Sequence, residues 1–60
     1  MPNVIETIVL LANCQKRIRD GKDGAVAAAF VADCLGVSDA RVMELIRQHA
    51  AEIEIINSGG

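Results

Sequence analysis

Sixty residues make one domain at most, and a chain this short buries only about 60% of the surface that its unfolded form exposes. Hydrophobic residues make up 52% of it and mean hydropathy is +0.32, more than one small core hides, so self-association as a homodimer is expected. The net charge of −2 is split, +1 over residues 1–24 and −3 over residues 25–60, which argues against a broad sequence-independent grip on phosphates.

In chain order, the first helix is expected from about Asn3 to Asp20, with Asn3 as its cap and Glu6 in its first turn, where a negative charge meets the helix dipole favourably. Val4, Ile8, Leu11, Cys14 and Ile18 recur at helical spacing. Ile5, Val9, Leu10 and Ala12 widen that stripe to most of the circumference, and a helix apolar nearly all round wants burial on more than one side. The second side is assigned to a symmetry mate, with Ile5, Val9 and Leu10 as candidate interface residues. Lys16, Arg17, Arg19 and Lys22 form the one basic cluster, read either as a dipole-favoured last turn or as phosphate contacts.

Gly21-Lys22-Asp23-Gly24 is a turn in which Asp23 is a plausible cap for the second helix, expected over 24–35. Its alanines give it high helix propensity and a thin profile. Val26, Phe30, Val31, Cys34 and Leu35 are expected to supply its packing bulk, with Phe30, the one aromatic residue, as the central core plug. Cys14 and Cys34 both fall in apolar helical stretches and read as buried, reduced thiols.

Gly36 is placed to end the second helix in the left-handed conformation, and Ser38 to cap the third, expected over 39–51. Val42, Leu45, Ile46 and His49 mark its inner face. Glu52-Ile53-Glu54-Ile55-Ile56 admits two periods: Ile53 and Ile56 continue the helical stripe, while E-I-E-I alternates like a strand. The reading taken is a helix end near Ala51 or Glu52 and an extended segment at 53–56, with Ile53, Ile55 and Ile56 as further interface candidates and residues 57–60 mobile.

Residues Ala28 to Arg47 resemble the helix-turn-helix superfamily. The apolar positions of that pattern are filled by Val31, Leu35, Val37, Val42 and Leu45, the small crossing residue by Ala32 and the turn glycine by Gly36. Two helices crossing at about 90–120° through a short turn need those residue types there. The resemblance implies an all-α, three-helix domain, its first helix backing the pair, and the 52–56 tail is similar to the first strand of a winged variant that lacks a second strand. It also implies a DNA-reading face at the start of the third helix. On this chain that face holds Ser38, Asp39, Ala40, Arg41, Met43, Glu44 and Arg47, with two acids set against two arginines.

Enzyme chemistry is not expected. His49 is the sole histidine and lies on an apolar stripe. A zinc site would need Cys14, Cys34 and His49 from three helices without paired spacing. No glycine-rich phosphate loop accompanies Lys22, and a single aromatic residue makes no stacking platform for single-stranded nucleic acid. No cofactor, metal or small-molecule substrate is expected, and no membrane: the run Val4–Ala12 is too short to span one, and no leader pattern is visible, so a cytoplasmic setting is the default. Two functions remain. The leading one is a small dimeric DNA-binding regulator, and the alternative is a protein-interaction or oligomerisation module on the same three helices.

Overall fold

Two side-chain caps and two left-handed glycines divide the chain. A computed structural model describes residues 2–59 as four helices, α1 (Val4–Arg19), α2 (Gly24–Leu35), α3 (Asp39–Gln48) and α4 (Ala50–Ser58), with no strand among the described residues. Asn3 opens α1 by accepting the Glu6 N–H at 2.8 Å, and Ser38 opens α3 by accepting the Arg41 N–H at 3.1 Å. Each satisfies one of the N–H groups that a helix start leaves without a partner.

The ends of α1 and α2 share one device. At α2 the Val37 N–H donates to the Ala32 carbonyl at 2.9 Å and the Gly36 N–H to the Asp33 carbonyl at 3.3 Å, with Gly36 at φ +69°. At α1 the Lys22 N–H donates to the Arg17 carbonyl and the Gly21 N–H to the Ile18 carbonyl in the same pattern. This paired closure uses up the last carbonyls and turns the chain sharply. Asp23 departs from expectation: it sits at φ +53° and its side chain makes no capping bond, so α2 begins without a side-chain cap. An N-cap residue normally has extended backbone, which the left-handed Asp23 does not.

α1 packs against all three other helices, whereas α2 and α4 flank it without approaching each other. The core is a single cluster: Leu11, Ala12 and Cys14 from α1, Ala28, Val31, Ala32 and Leu35 from α2, Val42 and Ile46 from α3, and Ile53 from α4. Ile8, Leu10, Ile18, Val37, Met43 and Leu45 lie partly buried around it. No polar or charged residue is buried among the described residues. Burial of these apolar groups is the main favourable term in folding at this size.

The C-terminal quarter differs most from expectation. The third helix breaks at His49 rather than near Ala51, and residues 53–56 are helical, not extended. An extended segment without a partner strand would leave its backbone polar groups unpaired, while a helix satisfies them internally. Turning at His49 swings Ile53 into the core, where it is 2% exposed. Asn57 and Ser58, assigned to a mobile tail from the sequence, lie in the last turn of α4, and Gly60 lies outside the described residues.

Two core assignments also change. Phe30 is 62% exposed and plugs nothing, and Cys34 is exposed while Cys14 is buried. On α2 the buried line is Ala28, Val31, Ala32 and Leu35; Val26, Phe30 and Cys34 lie off it.

Candidate interaction surfaces

Three surfaces gather the residues singled out from the sequence. The first is the outer side of α3. Asp39, Arg41, Glu44 and Arg47 are all exposed there, and Met43 is half-buried against the core. Ser38 is exposed but its hydroxyl is engaged as the cap. The Arg41 guanidinium pairs with the Glu44 carboxylate one turn on, so half of this face's positive charge is already met on its own helix.

The second surface is the basic cluster. Lys16, Arg17, Arg19 and Lys22 are exposed, and Arg19 is bound to Glu54 of α4 at 3.3 Å. This pair is well solvated on both sides and contributes little to stability, about 0–1 kcal/mol. It does show how α4 lies on α1: Glu54 reaches toward the C-terminal end of α1, while Ile55 and Ile56 border Ile5 and Ile8 near its start.

The third surface is apolar and falls on both flanks of α1. Between α1 and α4, Ile5, Ile8, Glu52, Ile55 and Ile56 line a groove of about 270 Å³. Ile5 is 75% exposed and Ile55 70%, with Val4, Val9 and Ile56 also open to solvent. Of the six residues assigned to an interface from the sequence, Ile5, Val9, Ile55 and Ile56 are exposed. Ile53 is not available, being in the core, and Leu10 is half-buried against it. Ile53 and Ile56 sit three residues apart near one face of α4, yet only Ile53 is buried; Ile56 is 41% exposed. Between α1 and α2, Leu10, Asn13, Arg17, Val26, Phe30 and Val31 border a second groove of about 260 Å³. Val26 and Phe30 were not foreseen as surface residues. The sequence carries no signal for this, because apolar residues surround α2 and only the packing of its neighbours decides which are covered.

No protein-family model matches this chain, and neither the curated proteins nor the solved structures contain a match to it.

The reactive groups are scattered. Cys14 is buried, and burial pushes its thiol up from its ordinary value, which disfavours the nucleophilic thiolate. Cys34 is exposed on α2. His49 Nδ1 lies 3.9 Å from the Glu52 carboxylate at the start of α4. Among the described residues, no three His, Cys, Asp or Glu side chains stand close enough together to hold a metal ion. No helix among them is long and apolar enough to cross a membrane.

Proposed function

We propose that this chain is a protein-interaction module that works by self-association. The observation that carries the reading is the apolar face beside α1: Ile5, Ile55 and Ile56 stand open to solvent along a groove whose one polar lining residue is Glu52. Contiguous exposed apolar surface of this kind marks an interaction site. Among the described residues no polar or charged side chain is buried, and no three His, Cys, Asp or Glu side chains stand close enough to hold a metal ion. Sedimentation at micromolar concentration tests it. A stable oligomer that persists in high salt is expected, and Ile5→Glu with Ile55→Glu is expected to dissociate it with helicity retained. A wild-type chain that stays monomeric would overturn the reading.

A second reading is favoured by one feature, the closed Gly36 turn followed by the Ser38 cap, which sets the exposed side of α3 outward in the manner of the helix-turn-helix superfamily. In this reading Arg41 and Arg47 contact DNA and Lys16, Arg17 and Lys22 contact flanking phosphates. Glu44 and Asp39 oppose it, since each repels nearby phosphate. Titration against random and selected duplexes at low salt tests it, with Arg41→Ala and Arg47→Ala abolishing any binding. Retention independent of salt would count against a phosphate-driven grip.

A further inference from the structure

The solvent side of α1 carries a pattern that reads the same in both directions. Glu6, Val9, Asn13 and Lys16 are all exposed and follow one another at intervals of three, four and three residues. That is the spacing of a helix–helix seam, in which alternate steps of three and four keep one line of side chains facing a partner. The seam has an acid at its start and a base at its end, about 15 Å apart along the axis. Neither Glu6 nor Lys16 forms an ion pair within the chain among the described residues, although Arg19, Arg41 and His49 all lie against carboxylates. Ile5, the most exposed large apolar residue of α1, flanks the same seam and joins it to the α4 groove.

We infer that two copies of this chain pair through antiparallel α1 helices, Glu6 of each against Lys16 of the other. This rests on the self-association reading above and names its partner and its geometry. Reversal of the 3-4-3 seam sets Glu6 opposite Lys16 twice and Val9 opposite Asn13 twice about a two-fold axis. Isologous closure follows, because each contact is matched by its symmetry copy. A parallel pairing would instead set Glu6 against Glu6 and Lys16 against Lys16, placing like charges together. Antiparallel packing also opposes the two helix dipoles, so the positive start of one α1 lies beside the negative end of the other. The Asn13 amide, at the centre of the seam, has both donors and an acceptor to offer across the axis. Charge pairs of this type select the orientation of the contact, while Val9 and the flanking Ile5 add apolar surface to it.

A charge-reversal series on the full chain tests the pairing, with sedimentation reading the dissociation constant and far-UV circular dichroism reading the fold. Glu6→Lys and Lys16→Glu each turn two attractions per dimer into repulsions, and each is expected to weaken association by about ten-fold or more. The double variant Glu6→Lys with Lys16→Glu restores opposite charges and is expected to recover most of the loss. Val9→Glu, at the middle of the seam and half exposed, dissociates the dimer without unfolding it. If the chain dimerises but the double variant is as weak as the singles, the antiparallel pairing is wrong and the self-association reading stands. Insensitivity of the dimer to both single reversals has the same meaning. A wild-type monomer removes both and leaves the apolar face to a different protein.

Discussion

The Asn57 side-chain amide donates to the Ala12 carbonyl at 3.1 Å, joining residues 45 positions apart in sequence. Ala12 lies at the centre of the core face of α1, and Asn57 in the last turn of α4, so this bond and the buried Ile53 hold α4 across α1. Asn57→Ala is expected to lower stability by about 0.5–1.5 kcal/mol, the usual net value of such a bond. Asn57→Asp should cost more at neutral pH, where a carboxylate faces a carbonyl oxygen, and less in acid, where the protonated side chain donates again. Urea unfolding at the two pH values checks the order.

Ile53 and Ile55 separate burial from exposure on one short helix. Ile53→Ala removes a side chain that is almost wholly enclosed and should cost about 2–5 kcal/mol. That is comparable to the entire stability of a 60-residue chain, about 3–9 kcal/mol at the usual value per residue. Ile55→Ala should change the stability of the folded chain by less than about 0.5 kcal/mol. Thermal melts at low protein concentration distinguish the two. Equal effects would mean that the break at His49 does not turn Ile53 inward.

Gly24 sets two magnitudes against each other. Alanine is preferred to glycine within a helix by about 1 kcal/mol, which by itself favours Gly24→Ala. A Cβ at this position would lie 2.9 Å from Ile18 Cγ1 and 3.2 Å from Ile18 Cα, and the latter is backbone that cannot swing aside. Overpacking of this kind costs about 1–3 kcal/mol, so Gly24→Ala is expected to destabilise. A rise in melting temperature would show that the start of α2 is free to move off α1.

The two cysteines give a labelling and a pH experiment. A thiol reagent should modify Cys34 at once and Cys14 only as the chain unfolds, since one is exposed and the other buried. The thiol of Cys14 is raised in the folded chain by loss of solvation. The folded state therefore holds that proton more tightly than the unfolded state. The associated stability is fully present below the thiol's ordinary, unfolded value and is lost as pH rises through the folded one. Unfolding free energy should thus fall in the alkaline range, and Cys14→Ala should flatten that fall. An unchanged alkaline slope in the variant would assign it to other groups.

Local chemistry was legible without coordinates wherever a neighbour in sequence decides it. Asn3 and Ser38 cap because their acceptors reach N–H groups three residues on, and Gly36 turns because a residue without Cβ enters the left-handed region freely. Helical spacing alone places Leu11 and Cys14 of α1 and Val42 and Ile46 of α3 inward, but it places Val4 there too, which is 72% exposed. The break at His49 did not, for no proline or glycine marks it: it exists because Ile53 gains a place in the core when the helix turns. The exposure of Phe30 has the same origin. Apolar residues surround α2, and only the approach of α1 decides which of them are covered. What the sequence by itself determined is therefore where the first three helices begin, since those starts depend on bonds and turns spanning three or four residues. Tertiary structure alone decided how the last helix folds back and which apolar side chains stay in water, because both depend on competition among distant segments for one small core.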